Sequence, residues 1–219
     1  MTLKLSYPSD LVFACASYAA RVNGGYCKIP EYAQFNHETG TGGELTKQTN
    51  KTVLLEALEN QALLTEADWE HSRLTRQFCQ GLIMRQLAHG NLSDFHQKMM
   101  EYAGEEEVRV GAAGVIAYAP IFASQQITRQ TVAERLDSTT KEHIGKIGEK
   151  ITLKCEVIRS TYSQQYGCYF ITAITEDNKA IYFAFKRALD VNQKYSLEGK
   201  VKDHPGNYQT KLNYVKIWQ

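Results

Sequence analysis

Near residue 145 the spacing of the apolar residues changes, and this change limits the fold more than any other feature of the chain. Upstream, apolar side chains recur at three- and four-residue intervals; downstream, they alternate with polar ones. The first spacing lays a stripe along a helix, and the second covers one face of a strand. A chain of 219 residues carrying both patterns in succession is expected to be α+β. The reading is a mainly helical domain at residues 1–144, serving assembly or partner binding, followed by a β domain at residues 145–219.

In the helical part, PSDLVFACASYAARVNGG offers Ser9 or Asp10 as an N-cap and Gly24 with Gly25 as a stop. Leu11, Val12, Ala16, Tyr18 and Ala19 make it a largely buried helix. Residues 26–48 hold a proline, several glycines and no sustained period, and are expected to form a long loop. Val53, Leu54, Ala57 and Leu58 share a face of the next helix. The one after it opens with Thr65 and Asp68 as a near capping box, closes at Gly90, and turns Trp69, Leu74, Phe78, Leu82, Ile83 and Leu87 inward. A fourth helix behind Ser93 has Phe95, Met99, Met100 and Tyr102 on its apolar side. VGAAGVIAYAPIF reads as a buried loop or short strand, with Pro120 excluding a central strand position. Val132 and Leu136 mark a last short helix.

In the β part, KITLKCEVIRS sets Ile151, Leu153, Cys155 and Val157 on one side and Thr152, Lys154 and Glu156 on the other. YGCYFITAIT and AIYFAFK flank the turn EDNK, while YSLEGKVKDH and YQTKLNYVKIW flank PGN. Five strands, with the connection RALDVNQ between the third and fourth, match the order of a five-stranded antiparallel OB-like β-barrel. Such a barrel binds oligonucleotides on its second and third strands, between the loop after strand one, here RSTYSQQYG, and the loop after strand four, here KDHPGNYQ.

A net charge of +1 conceals an asymmetry. From Lys146 onward 12 Lys and Arg stand against 7 Asp and Glu, net +5, whereas the residues before it carry 13 against 17, net −4. The same tail holds 11 of the 23 aromatic residues, with Tyr208, Tyr214 and Trp218 set among the lysines of its last hairpin. Unpaired bases stack on aromatic rings while Lys and Arg follow phosphates, so these residue types together point to single-stranded nucleic acid. Stacking candidates are Tyr162, Tyr166, Tyr169, Phe170, Tyr182, Phe183, Phe185 and Tyr208. Alternation sets Tyr169 against Phe170 and Tyr182 against Phe183, so about half of these rings belong in the core. The expected binding set is Arg159, Tyr162, Tyr166, Tyr169, Tyr182, Lys186, Arg187, Lys202, Tyr208 and Lys211.

The succession GKIGEKI, YGCYFITAITEDNKAIYFAF and LEGKVKDHPGNYQTKL resembles OB-like segments at the C-terminal ends of bacteriophage and plasmid proteins associated with DNA replication and single-strand binding. The elements shared are Gly145, Gly148 and Glu149; Tyr166 and Gly167; Gly199, Val201, Lys202 and His204; and Gln209 with Thr210. The last loop departs from the family pattern in reading PGNY. The resemblance covers residues 145–219 and implies a phage-type DNA-binding protein without naming a reaction.

No GxxxxGK[ST], HExxH, GxSxG or paired CxxC is present. GTGGEL lacks the lysine of a phosphate loop and reads as flexible; Asp68, Glu70 and His71 are expected to face solvent, and GEEEV to be an acidic helix end. Five widely spaced cysteines fit reduced, buried thiols. No run approaches the about 18 apolar residues of a membrane span, and the start lacks a signal peptide's apolar core. The expectation is therefore a cytoplasmic, homo-oligomeric, non-catalytic single-stranded DNA-binding protein of a bacteriophage, without cofactor or metal, acting in replication, recombination or transcription. RNA stays open as a ligand, and replication or transcription proteins as partners. The rival is an adaptor whose OB-like barrel docks a protein partner.

Overall fold

The computed structural model describes residues 5–33, 43–82, 84 and 93–218. Ile83, Leu87, His89, Gly90 and part of the glycine-rich loop lie outside them. The chain divides into two compact units, Met1–Ile127 and Thr128–Gln219.

The first unit begins with strand β1 (Ser6–Pro8) and helix α1 (Ser9–Asn23), which ends on Gly24 in the left-handed region at φ 59°. Glycine takes that conformation without a Cβ penalty, and the next amide, Gly25, donates to the Ala20 carbonyl. Helices α2 (Asn50–Glu59), α3 (Glu66–Gln80) and α4 (Asp94–Gly104) follow, and Phe13, Leu54, Met99 and Ile116 are fully buried among them. The segment expected to be a long loop contains a small ribbon, β2 (Glu31–Tyr32) against β3 (Leu45–Lys47). The acidic stretch expected to end α4 instead forms β4 (Glu107–Arg109), which pairs with β1 and buries Val108. Arg76 of α3 closes α4 by donating to the Ala103 and Glu105 carbonyls, and it also pairs with Asp10.

Helix α3 has the expected Thr65–Asp68 capping box, and of its expected apolar face Trp69 and Phe78 pack against the core while Leu82, just past Gln80, is buried. Leu74 is 55% exposed, and the buried residues are Asp68, Ser72, Thr75 and Cys79. Asp68, expected to face solvent, is 2% exposed because Arg21 of α1 reaches it with two parallel bonds of 2.9 Å. The Thr65 amide and hydroxyl complete its shell at 2.9 and 2.7 Å. Burial alone would raise the Asp68 pKa, but the hydrogen bonds from Arg21 and Thr65 outweigh it and hold the carboxyl below its usual range. A depressed carboxyl stabilises the fold above its unfolded pKa and loses that contribution as pH falls through the folded value. Asp68→Asn is therefore expected to cost about 2 kcal/mol near neutral pH, discounted because Arg21 is half exposed. The gap between the two proteins should narrow on acidification, as urea melts at about pH 7 and about pH 3 will measure.

VGAAGVIAYAPIF is helical, contrary to expectation: a short α5 (Ala113–Ile116) leads into α6 (Ala119–Asp137), which absorbs the predicted last helix. Pro120 sits in the first turn of α6, where its missing N–H has no intrahelical acceptor to lose. Val110–Asp137 is long and apolar enough to cross a membrane by composition. Its Ala112, Ala113, Ile116, Ala117, Ala119, Phe122 and Ala123 are buried in the unit, as in a core helix. All five cysteines are free, and burial pushes the Cys15, Cys79 and Cys155 thiols up to about 12.

In the second unit five strands, β5 (Lys150–Ser163), β6 (Cys168–Thr175), β7 (Ala180–Phe185), β8 (Lys194–Asp203) and β9 (Thr210–Trp218), close into a barrel in the order β5-β6-β7-β9-β8. The expectation of an antiparallel barrel is corrected here, because β7 and β9 run parallel from Ile181 and Thr210 to Phe183 and Leu212. A closed ring with an odd number of strands cannot alternate direction throughout, so one neighbouring pair has to be parallel. Val157, Ile171, Ile181, Phe183, Leu197, Val201 and Leu212 fill the interior.

Strand β5 closes the ring by pairing with β8 along its first half and with β6 along its second. The changeover is a bulge at Ile158, where the register slips between Val157 and Arg159. Strict alternation from Val157 would send Arg159 and Thr161 into the core. The extra residue reverses the parity and turns both outward. Gly145 and Gly148, just ahead of β5, have φ 61° and 92°, while the Gly148 amide donates to the Val201 carbonyl and the Ile144 amide to the Thr210 hydroxyl. These bonds fasten the entering chain to β8 and β9.

Candidate nucleic-acid interface

Because β5, β6 and β7 lie side by side, the outward residues of each fall in one row. Arg159 faces Thr172, Thr161 faces Phe170, Phe170 faces Ala184, and Thr172 faces Tyr182. The Phe170 and Tyr182 rings stack diagonally with centroids 5.7 Å apart and planes within 19°. Tyr166, in the turn after β5, sets its ring edge on Phe170 at 5.8 Å. At the other end Lys211, beside Tyr182 on β9, holds its ammonium 6.0 Å from that ring's centroid. Partial burial raises the Tyr182 pKa, with Cys168 and Tyr166 adding to it and Arg159 opposing, so the hydroxyl stays neutral near pH 7. The result is an uncharged aromatic platform running from the β5–β6 turn to the start of β9, with a cation on either side.

The other expected site residues fall elsewhere. Tyr169 shares the parity of Ile171 and packs partly against the barrel interior, with Tyr162 beside it at 5.1 Å. Tyr162 stands on β5 itself, as Arg159 of the row does, since the strand extends to Ser163 and leaves a turn of only Gln164 to Gly167. Lys202 is exposed on β8 rather than in a loop. Tyr208, in the β8–β9 loop with φ 60°, joins a separate cluster: it lies 5.9 Å from His143, which stacks on His204 at 4.4 Å. Burial, followed by the neighbouring His204, lowers the His143 pKa against the pull of Asp203, which favours the neutral ring. Lys186 and Arg187 lie exposed just past β7, with Arg187 over the Phe185 ring at 5.9 Å.

Phe170, a stacking candidate, is the platform residue missing from the expected set, which holds its neighbour Tyr169. No polar residue of β6 marks the outer set, since Thr172 on the parity of Phe170 and Thr175 on the opposite one are equally buried. Tyr214, 83% exposed on β9, was also outside that set. His71 bonds Ser124 at 3.2 Å on the surface of the helical unit. Among the described residues no group of three or more His, Cys, Asp or Glu is placed to hold a metal ion. Comparison with protein-family models, curated proteins and solved structures returns no match.

Proposed function

We propose that this chain is a non-catalytic single-stranded DNA-binding protein of the phage type, with the barrel as its contact surface and the helical unit assembling protomers. The observation that carries the proposal is the continuous row Tyr166, Phe170, Tyr182 and Lys211, with Arg159 beside it. Flat neutral rings suit unpaired bases, and flanking cations suit the phosphates between them. The strand order with its single parallel pair supports reading the barrel as OB-type, in which the second and third strands present the ligand face. A ring row this short gives one barrel few contacts, so assembly of several protomers on one strand would supply affinity through avidity.

Fluorescence anisotropy with a labelled strand of about 30 nucleotides, against its duplex, tests the proposal. The single strand is expected to bind in preference, and log affinity to fall with log salt by about 0.7 for each phosphate contacted. Equal binding to duplex, or none at low salt, would overturn it and favour a protein partner for the barrel.

A further inference from the structure

Strand β9 stays beside β7 only from Thr210 to Leu212 and then leaves it. The departure is built into the backbone: Tyr214 takes a left-handed φ of 54°, and the register of β9 against β8 slips between Glu198 and Lys200. Between the diverging strands opens a groove of about 430 Å³. Cys168 and Ala184 line it with small side chains, Tyr214 stands on the β9 side, and Lys186 and Arg187 lie at the end of β7.

A left-handed conformation is strained for a tyrosine, and strain of this kind persists where something outside the local chain holds it. The Tyr214 ring is almost wholly exposed, so packing within the protein gives little return for the strain. Across β6 and β7, Phe170 pairs directly with Ala184. The groove therefore begins at the edge of the aromatic platform. Among the described residues neither Lys186 nor Arg187 pairs with a carboxylate.

We infer that the groove takes one unstacked nucleotide of the same strand whose neighbours lie on Phe170 and Tyr182. Its base stacks on Tyr214 above Cys168 and Ala184, and its phosphate lies between Lys186 and Arg187. This inference rests on the single-strand reading and extends it, since it makes the bound strand longer than the platform.

Tyr214→Gly removes the ring and relieves the backbone, so it should fold and melt no lower than the parent. Tyr214→Asn, which also tolerates the left-handed region, is the second variant. Anisotropy with labelled oligothymidines from about 4 to about 12 nucleotides is the measurement. The parent is expected to gain affinity in a step once the strand reaches the groove. Both variants should bind the shortest strands as the parent does and lose roughly tenfold on the longer ones. A variant that matches the parent at every length, or is weaker by one factor at every length, overturns the groove and leaves the platform standing. Absence of binding at any length by the parent itself overturns both.

Discussion

Replacing Phe170 and Tyr182 together by alanine is expected to weaken binding of a single-stranded oligonucleotide by at least about 30-fold, because each stacked base is worth roughly 1–3 kcal/mol. Both rings project from the outer face of the barrel and form the centre of the aromatic row. Their loss removes the platform while Ile171, Ile181 and Phe183, of opposite parity on the same strands, keep the interior filled. The salt dependence should be unchanged, since no charge is altered. Arg159→Gln with Lys211→Gln should do the reverse, lowering the slope of log affinity against log salt by about 0.7 for each cation that meets a phosphate. Circular dichroism and anisotropy on the two double variants separate stacking from charge. If the Phe170 and Tyr182 variant stays folded and binds within about threefold of the parent, the platform is not where bases lie.

Periodicity carried the division into helices and strands, because burial on one face demands it. All five barrel strands and the tight turn between β6 and β7 were legible, as was Thr65–Asp68 at the head of α3. What escaped was parity. On β6 both faces carry apolar residues, with Tyr169, Ile171 and Ala173 on one and Phe170 and Ile174 on the other, so alternation gives two sets without saying which is inside. On β5 the bulge at Ile158 reverses the sides halfway, and no residue there signals it. The helical unit shows the same limit. The hydrophobic stripe of α3 pointed to Leu74, but the bidentate Arg21–Asp68 contact joins α1 to a polar face. An ion pair 47 residues apart leaves no local periodic trace. That some neighbouring pair must run parallel, by contrast, was available from counting alone, since five strands in a closed ring cannot all alternate.

Phe183 and Tyr182 put the parity question to a direct test, because adjacent residues of one strand should fail in opposite ways. Phe183 is 1% exposed in the barrel core and lies edge-on to Phe185. Phe183→Ala removes a ring that close packing cannot collapse around, which costs about 3–5 kcal/mol. A domain of this size has roughly 5–15 kcal/mol in total, so the barrel should melt at least about 12 °C lower. Tyr182→Ala, on the outer face, removes a partly exposed ring over a sheet that stays closed and should shift the melt far less. Its defect should be in affinity. Thermal melts of both variants, followed by oligonucleotide titration below each transition, give the comparison. A Phe183→Ala protein that melts with the parent, beside a Tyr182→Ala protein that unfolds, would mean that β7 presents the opposite face and that the platform belongs to the core.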